Sequence, residues 1–393
     1  MEKSLPYVLW LPSWYPNKLA SYDGDFIQRH AKAVSAYIPV HVLHLVRDVE
    51  GVVTKSVKIE EKKDGNLKEI IIYYYCKRFI SKIPDQFFSL QKFGRLYRKF
   101  LSEYFSLNGL PALVHVHIAF KAGLIARWIK TKWGIPYLLT EQWTIYLDEA
   151  KPRMNDLSFV HQYMISKIIS DALLILPVSE YLGEALQKKW PAIKYEVVPN
   201  VVNTDIFYPL NPTLNDKLRL IHISTLTYQK DPESLFNAIG ILKKQGINFS
   251  LDVFGTGSDY ILSLVKKENV EQEVKLHGEV PQPILSESLR KSDALILYSR
   301  FETFGCVIIE ANASGVPAIV PDTALMHELV TDHFNGLLVP KGSATELAKA
   351  LIDFSKIKNS FNKNLIANQA AEKFSYNRVG KMYADIYTRY YFI

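Results

Sequence analysis

Three observations predict an α/β protein made of two doubly wound domains. The chain has 393 residues, and domains usually hold roughly 100 to 200 residues, so two domains are expected. Hydrophobic residues make up 48% and charged residues 22% of the chain, which supplies large apolar cores and gives no sign of disorder. Runs of Val, Ile, Leu and Tyr without polar alternation recur along the chain and alternate with helix-length periodic stretches. Strands that are buried on both faces of a parallel sheet have this appearance.

Seven apolar runs in the first half predict the strands of one sheet. These runs are residues 7–11, 40–46, 69–76, 113–118, 137–140, 172–178 and 195–198. Helix-length stretches lie between several of them, which favours right-handed crossovers between parallel strands. We therefore predict a first domain, Rossmann-like in its alternation, over residues 1–205.

The same pattern restarts after residues 200–212, a stretch rich in Asn and Pro that is typical of a linker. Six further runs predict the second sheet: residues 218–223, 249–254, 274–277, 294–298, 318–321 and 336–339. The second domain is predicted over residues 206–375. A final amphipathic helix over 376–393 is expected to pack on either domain, including back onto the first. Ligands of such folds bind beyond the carboxyl ends of the strands, here in the cleft between two sheets.

Composition excludes several classes of protein. The longest apolar stretches span about seven residues, far short of the ~20 that a membrane-spanning helix needs. Near the start, the first apolar run meets Pro12 and Trp14 instead of a signal-peptide cleavage site. Cys76 and Cys306 are the two cysteines of the chain, too few for a disulfide framework or a cysteine-based zinc site. We expect a cytoplasmic protein.

The positive charge is concentrated in the first half. Residues 1–205 hold 27 Lys and Arg against 20 Asp and Glu, whereas residues 206–393 hold 20 of each, so the net +7 lies in the first half. Such a balance indicates an anionic partner, for example a membrane surface or a phosphorylated acceptor. Nucleic acid is disfavoured because no recognised binding module accompanies the charge.

Residues 77–105 combine this charge with aromatic residues. Seven cations and one acid lie in 77–100, and apolar residues recur at spacings of three and four. The stripe consists of Leu90, Phe93, Tyr97, Phe100 and Tyr104. Two interpretations stay open. The helix lies on an anionic membrane surface, at the inner face of the membrane, or its stripe packs on its own domain.

The most informative stretch is SRFETFGCVIIEANASGVPAIV, residues 299–320. Glu302 lies in the loop before a predicted helix and Glu310 lies two turns further on, about 12 Å along the axis. Glycosidase carboxyl pairs lie roughly 5 to 9.5 Å apart, so these two favour anchors on one extended ligand. The backbone N–H groups of Thr303, Phe304 and Gly305 stand at the positive end of the helix and favour a phosphate.

This stretch resembles the retaining glycosyltransferases of family 4, also called glycosyl transferases group 1, which have the GT-B fold. Their pattern is ExFGxxxxEAxAxGxPV, and the match is nearly complete. The resemblance spans nearly the whole chain, and the second domain carries most of its specificity. It implies that Glu310 holds the ribose hydroxyls of a nucleotide sugar, that Glu302 contacts the sugar, and that the helix N-terminus receives the diphosphate.

Residues 222–239, HISTLTYQKDPESLFNAI, resemble the family segment GRLxxxKG. By this resemblance Lys230 contacts the departing diphosphate and stabilises its developing charge. Thr225 stands where the family has an arginine, and Arg300 is a candidate substitute.

Weaker matches surround the donor site. Gly255 and Gly257 follow a predicted strand, as in the family's glycine turn beside the donor. No third glycine follows at dinucleotide-binding spacing, which disfavours a dehydrogenase. Val280 lies in the loop that holds the nucleobase in the family, and the identity of the base stays open.

In the first domain the resemblance concerns four further residues. Gly24 matches a glycine that faces the donor phosphate, and it equally suits the start of a helix. His117 ends a predicted strand and matches a histidine near the reacting sugar, although a buried core histidine is the alternative. Glu141 and Trp143 follow the next strand and are candidates for the acceptor side.

The resemblance therefore implies a retaining enzyme that moves a sugar from a nucleotide diphosphate sugar, UDP-sugars among the candidates, to a hydroxyl acceptor. A lipid-linked or envelope or capsular polysaccharide glycan is the expected acceptor. No cofactor and no metal is expected. Two alternatives stay open, a nucleotide-sugar epimerase and a catalytically silent sugar-nucleotide-binding module.

Overall fold

The computed structural model describes residues 6–78, 81–210, 216–257 and 259–390. Its first sheet has seven strands: β1 (Val8–Pro12), β2 (Val40–Asp48), β3 (Val57–Asp64), β4 (Leu67–Tyr75), β5 (Leu113–His117), β6 (Tyr137–Glu141) and β7 (Leu174–Pro177). Their order in space is β3-β4-β2-β1-β5-β6-β7, and every pairing except that of β3 is parallel. Parallel neighbours need crossover connections, which helices supply except between β2 and β4, where the chain passes through β3.

The helices of the first half are α1 (Asp25–Ser35), α2 (Lys82–Asn108), α3 (Ala122–Trp133), α4 (Phe159–Asp171) and α5 (Glu180–Lys189). One apolar core lies on each face of the sheet. Leu9 and Leu11 of β1 belong to the core under α2, α3 and α4, while Val8 and Trp10 belong to the core under α1. Side chains of a strand alternate between the two faces, so β1 is buried throughout.

The second sheet has six parallel strands: β8 (Leu218–Ile223), β9 (Phe249–Phe254), β10 (Val274–Gly278), β11 (Ala294–Ile296), β12 (Ala318–Pro321) and β13 (Gly336–Val339). Their order is β10-β9-β8-β11-β12-β13. The accompanying helices are α6 (Pro232–Lys244), α7 (Asp259–Lys267), α8 (Gln282–Lys291), α9 (Cys306–Ala313), α10 (Ala324–Leu329), α11 (Ala344–Ile357), α12 (Lys363–Phe374) and α13 (Tyr376–Tyr390). The strand order reverses direction at β8, and the crevice at such a point is where ligands bind in open parallel sheets.

The predicted strands agree with the observed ones except at two places. Residues 195–198 form no strand, because Tyr195 makes only an isolated bridge to Ile175. That prediction is wrong. β3 is absent from the predictions because its sequence, VKIEEKKD, carries no apolar run and lies almost wholly exposed at the sheet edge. Charged residues on an edge strand hinder pairing with other chains, and such a strand has no buried face to mark it.

Helix α2 resolves the two interpretations of the aromatic stripe. Phe93, Tyr97 and Tyr104 are buried in the core of the first sheet, and Leu90 and Phe100 pack partly against it. The stripe therefore packs on its own domain. Residues 79 and 80, which precede α2 within the 77–105 segment, lie outside the described residues.

Helix α13 packs against α1 of the first half, although it follows the second sheet in sequence. A side chain at Gly380 would meet the carbonyl oxygen of Ala33 at 2.3 Å, so glycine allows the two helices their close approach. Tyr383 and Tyr387 are fully buried between α13 and the first sheet. Residues 391–393 of the predicted helix and residues 211–215, which include part of the predicted linker, lie outside the described residues. The domain boundaries at 205 and 375 stay predictions. Within the described residues no helix is both long and apolar enough to span a membrane.

Candidate functional site: the cleft between the two sheets

A cavity of about 540 Å³ lies between the carboxyl ends of the two sheets. Its lining comes from both halves of the chain. The first half contributes the loop after β1 with Trp14, helix α1 with Arg29, and the loop after β6 with Trp143. The second half contributes the ends of β8, β9 and β10 and the start of α9. This position is the one that two facing parallel sheets predict for a ligand.

Helix α9 points its N-terminus into the cavity. The helix begins at Cys306, and Gly305 precedes it with φ of +92°, a left-handed conformation that favours glycine. Backbone N–H groups in the first turn have no acceptor within a helix, so those of Cys306 and Val307 are oriented toward the cavity that both residues line. The free N–H groups of the first turn thus belong to residues that lie one to three positions later than the sequence indicated. Thr303 and Phe304 lie in the loop before the helix.

Lys230 and Glu302 form an ion pair in the cavity wall. The Lys230 ammonium donates to Glu302 Oε1, which also accepts a hydrogen bond from Ser299 Oγ at 2.9 Å. Gln229 Nε2 donates to Glu302 Oε2 at 3.2 Å. Only 8% of Glu302 is exposed, so three neighbours fix the orientation of a nearly buried carboxylate.

Arg300 does not line the cavity, and its contacts are with the loop that carries Lys230. Its guanidinium donates to the carboxylate of Asp231, to that of Glu233 at 3.1 Å and to the carbonyl of Tyr228 at 3.0 Å. It also lies over the ring of Tyr228 at 4.4 Å. Arg300 therefore supports the conformation of residues 228–231 instead of replacing the arginine absent at Thr225.

Glu310 is paired across the cleft with a residue of the first half. Arg29 Nη1 donates to Glu310 Oε1 at 2.5 Å. Burial raises the pKa of Glu310, and the charge of Arg29 opposes that rise. Arg29 Nη2 lies 3.3 Å from Asp25, one turn earlier on α1. The two acids of the motif thus each hold one cation, Lys230 at Glu302 and Arg29 at Glu310.

Two further hydrogen bonds join the halves beside the cavity. Thr303 Oγ1 donates to the carbonyl of Gln142 at 2.9 Å, and Ser179 Oγ donates to the carbonyl of Thr303 at 2.8 Å. The loop before α9 is therefore held against the first domain, and the cleft is closed around the cavity.

The structure brings together most of the residues that the sequence singled out. Those that line the cavity are Lys230, Glu302, Glu310, Thr303, Phe304, Gly305, Thr225, Gly255, Val280 and Trp143. Gly255 is required for its position, since a side chain there would meet the carbonyl oxygen of Ser224 at 1.7 Å. Gly257 is exposed and lies outside the lining.

The structure places His117 in the core instead of the cleft. Its ring lies 4.1 Å from the ring of Trp10 and 4.2 Å from that of His115, with none of its surface exposed. Burial, with smaller effects from His115 and His30, holds its pKa well below the usual range. The position of His117 at the end of a strand predicted a residue near the reacting sugar. Its side chain instead lies on the face of the sheet that α1 and α13 cover, so that prediction is wrong.

Glu141 also fails to reach the cavity. It is fully buried, and it accepts hydrogen bonds from the backbone N–H of Ala119 at 2.7 Å and from Tyr146 Oη at 2.9 Å. Burial raises its pKa to about 7. Its contacts tie together the loops after β5 and β6, so it supports the neighbouring Trp143 instead of meeting an acceptor directly.

Gly24 lies immediately before α1 with φ of +63°. A side chain there would lie 2.5 Å from the carbonyl of Trp14, so the glycine lets the loop after β1 pass close to the helix start. It is absent from the cavity lining, whereas Trp14 and Asp25 are part of it. The geometry favours the structural alternative for this glycine.

Arg29 and Trp14 line the cavity, although the sequence did not indicate either as a cavity residue. Arg29 follows Asp25 by one helical turn, in the stretch that contains Gly24. Its partner Glu310 is 281 residues away in the chain, and no local pattern indicates such a pair.

Cys306 is a half-buried residue of the cavity lining beside Arg29 and Glu310. Burial raises the pKa of its thiol to about 12, so the thiol stays protonated at neutral pH and is no nucleophile. Among the described residues, no group of three or more His, Cys, Asp or Glu side chains is arranged to hold a metal ion.

Two doubly wound α/β sheets that face each other across a ligand cleft define the GT-B fold, and the sequence prediction of this fold is confirmed. A sucrose-phosphate synthase from Thermosynechococcus elongatus has the same fold, with a TM-score of 0.78, 17% identity and coverage of 98% of this chain and 99% of that one. The Anabaena protein HepE, solved in complex with UDP and glucose, has a TM-score of 0.71, 14% identity and coverage of 98% and 100%.

Residues 210–373 match the model of the family described as glycosyl transferases group 1. The amylovoran biosynthesis glycosyltransferase AmsK of Erwinia amylovora is 24% identical over 390 residues, covering 90% of each chain. The second half of the chain therefore matches the group 1 glycosyltransferases, and the protein is a glycosyltransferase of the GT-B fold.

Proposed function

We propose that the protein transfers a sugar from a nucleoside diphosphate sugar to a hydroxyl group of a glycan acceptor, with retention of the anomeric configuration. The observation that carries the proposal is the convergence of Lys230, Glu302, Glu310 and the N-terminus of α9 on one interdomain cavity. The UDP and glucose named for the HepE complex support a donor of this class.

Each wall of the cavity supplies one part of donor recognition. Glu310, a buried residue of the cavity lining, suits the ribose hydroxyls, from which its carboxylate can accept hydrogen bonds. The backbone N–H groups at Cys306 and Val307 and the ammonium of Lys230 suit a diphosphate, since helix N-termini and lysine both bind phosphate. Glu302, held by Ser299 and Gln229, suits the hydroxyls of the transferred sugar.

The proposed reaction breaks the bond between the anomeric carbon and the diphosphate oxygen. The acceptor oxygen bonds to that carbon on the same face, and its proton passes to the leaving phosphate. Lys230 and the α9 N-terminus stabilise the negative charge that develops on the diphosphate, an electrostatic contribution that requires no proton from either group. Because the protein itself supplies this charge, we propose that the reaction needs no metal ion.

The acceptor is proposed to lie on the first-domain side of the cavity, where the rings of Trp14 and Trp143 meet at 6.1 Å. Aromatic rings offer apolar contact area to one face of a sugar. The function of AmsK in amylovoran biosynthesis supports a polysaccharide or lipid-linked glycan as acceptor. We further propose that the protein associates with the membrane that carries such an acceptor, through the exposed phenylalanines Phe87 and Phe88 of α2.

The test is product analysis with UDP-, GDP- and ADP-sugars and a panel of glycan and lipid-linked acceptors. Mass spectrometry detects the extended acceptor, and the proton coupling at the new anomeric centre gives its configuration. We expect one donor class to give a product with the donor's own configuration, at an unchanged rate in EDTA. An inverted product contradicts retention, and a rate abolished by EDTA contradicts metal independence. Epimerised donor without acceptor consumption contradicts transfer.

A further inference from the structure

The cleft contains two cations and four acids among its described lining residues. The cations are Lys230 and Arg29, and the acids are Asp25, Glu279, Glu302 and Glu310. A donor adds a diphosphate to this balance, and its negative charge requires positive partners in a site with little water. Lys230 comes from the second domain and Arg29 from the first, so the two cations approach the cavity from opposite walls.

The guanidinium of Arg29 is buried and only partly satisfied. Arg29 is 7% exposed. Its Nη1 donates to Glu310 and its Nη2 contacts Asp25. In the part of the chain that the structure describes, its Nε has no hydrogen-bond partner. A buried donor without an acceptor costs about 1–3 kcal/mol, and an acceptor group of a bound ligand would remove that cost.

Arg29 is also close to the predicted phosphate position. The charge of Arg29 lowers the pKa of Cys306, although burial raises it more, and Cys306 is the first residue of α9. Its hydrogen-bond partner Glu310 follows Cys306 by four residues, about one helical turn, so the guanidinium is held beside the first turns of α9. A planar guanidinium can hold a phosphate with two parallel hydrogen bonds, which a single ammonium cannot.

We propose that Arg29 binds the donor diphosphate from the first domain, as the second cation beside Lys230. This inference rests on the proposed function. The ion pair with Glu310 orients the guanidinium at the cavity wall. It uses one oxygen of Glu310, and no hydrogen bond to the other oxygen occurs among the described residues, which leaves that oxygen available to a ribose.

In this arrangement the donor site is complete only when residues from both domains line the cavity. Thr225 and Arg300 supply no such charge. Thr225 is neutral, and Arg300 is bound to Asp231 and Glu233 outside the cavity. The first domain thus contributes to donor binding as well as to the acceptor side.

Calorimetry distinguishes a direct contact between Arg29 and the diphosphate from a role in which Arg29 only orients Glu310. A nucleoside and its diphosphate are titrated into the wild type, Arg29→Gln and Arg29→Lys, with the base that the wild type prefers. Lys32→Ala, an exposed cation on the same helix, is the matched control. We expect Arg29→Gln to weaken diphosphate binding roughly 10- to 100-fold while nucleoside binding changes less than about threefold. Arg29→Lys keeps the charge and is expected to lose less, and it replaces Arg29→Gln if that variant fails to fold.

Two results would overturn the inference while leaving the proposed function intact. An equal loss for nucleoside and diphosphate shows that Arg29 only orients Glu310 for the ribose. Unchanged diphosphate binding shows that Arg29 makes no donor contact. A different result, no binding of any nucleoside diphosphate by the wild type, overturns the proposed function itself. The melting temperature of each variant verifies that it is folded.

Discussion

Lys230 and Glu302 are the residue pair on which the proposed chemistry depends. The Lys230 ammonium is held by the Glu302 carboxylate, so each side chain fixes the orientation of the other. Charged groups and hydrogen-bond donors that the protein fixes before the reaction stabilise the charge that develops on the leaving group, because they do not have to reorganise. The pair therefore prepares the site at the point where the glycosidic bond breaks.

Replacing Lys230 by Ala is expected to lower the transfer rate by roughly 10²- to 10³-fold, the effect of removing one donor to a developing negative charge. Steady-state kinetics with saturating donor measure this rate. Lys244→Ala, an exposed lysine at the end of α6, is the control and should leave the rate unchanged. A Lys230→Ala enzyme that retains more than half of the wild-type rate contradicts the assigned role.

Arg300 acts through Lys230, so its effect should depend on that residue. Arg300→Ala removes the contacts that hold residues 228–231 and is expected to lower the rate roughly tenfold, or about 1.4 kcal/mol. In a Lys230→Ala background the same change should have no further effect on the rate. Kinetics of the two single variants and the double variant check this. Additive losses would show that Arg300 contributes independently of Lys230.

The residues that the sequence could predict are those whose roles depend on neighbours that are close in the sequence. Glu302, Gly305 and Glu310 lie within nine residues of each other, and helix geometry alone places them at one helix end. Arg29 has its partner 281 residues away, so only the fold brings the pair together. His117 shows the opposite error, because its position at a strand end suggested the cleft while its side chain faces the buried side.

At the scale of elements, α9 carries the site and α2 carries the charge. Helix α9 is short and almost wholly buried, so its position is fixed by packing between the second sheet and α12. Helix α2 buries its aromatic stripe and leaves the cations Lys92, Arg95, Arg98 and Lys99 exposed. Near its start, Phe87 is 62% and Phe88 is 47% exposed. Exposed aromatic rings near cations suit an anionic lipid surface.

Helix α2 is expected to bind vesicles that contain anionic phospholipid and to ignore neutral ones. Co-sedimentation with vesicles measures this binding. Phe87→Ser with Phe88→Ser should weaken it at least tenfold, since each inserted ring contributes roughly 1.5–3 kcal/mol. Leu107→Ser, at the other end of α2 and 84% exposed, is the matched control. Equal binding by the double variant and the wild type contradicts docking through this end of the helix.

The sequence predicted the strands that bury apolar side chains, and it missed the exposed strand at the sheet edge. Runs such as 218–223 and 249–254 coincide with β8 and β9 because each strand buries a row of alternate apolar side chains, for example Phe249, Leu251 and Val253 in β9. β3 has no buried face and reads as a charged loop. The basic segment at 77–105 predicted a helix correctly, but periodicity alone cannot say whether an aromatic stripe meets a membrane or a core.

For the whole molecule, a group of buried histidines couples the first domain to the C-terminal helix. His30, His115 and His117 lie between the first sheet, α1 and α13, and His115 contacts Tyr387 Oη. Burial lowers the pKa of all three, that of His30 to about 3. Unfolding exposes these rings to water, where the pKa of histidine is about 6.5.

Acid is therefore expected to destabilise the protein. The unfolded chain protonates these rings as the pH falls below about 6.5, whereas in the folded chain they stay neutral well below that pH, His30 down to about pH 3. The free energy of unfolding therefore falls as the pH decreases below about 6.5. Each such histidine costs about 2 kcal/mol between pH 7 and pH 5. Urea unfolding at these pH values measures the change.

The variant His117→Leu should reduce the pH dependence of the free energy of unfolding by the contribution of one histidine, because leucine does not titrate. Urea unfolding of His117→Leu and of the wild type at the same pH values measures the difference. A stability that is constant from pH 7 to pH 5 would show that these rings are not buried in neutral form.

The central claim is that a nucleoside diphosphate sugar binds in the interdomain cleft through Lys230 and Glu310. Calorimetric titration of UDP-, GDP- and ADP-sugars into the wild type, Lys230→Ala and Glu310→Ala tests it most directly, with Lys244→Ala as the control. The predicted result is binding of one donor class that both cleft variants weaken by at least tenfold and the control preserves. Donor binding that survives both cleft substitutions, or no binding of any of the three classes, would contradict the claim.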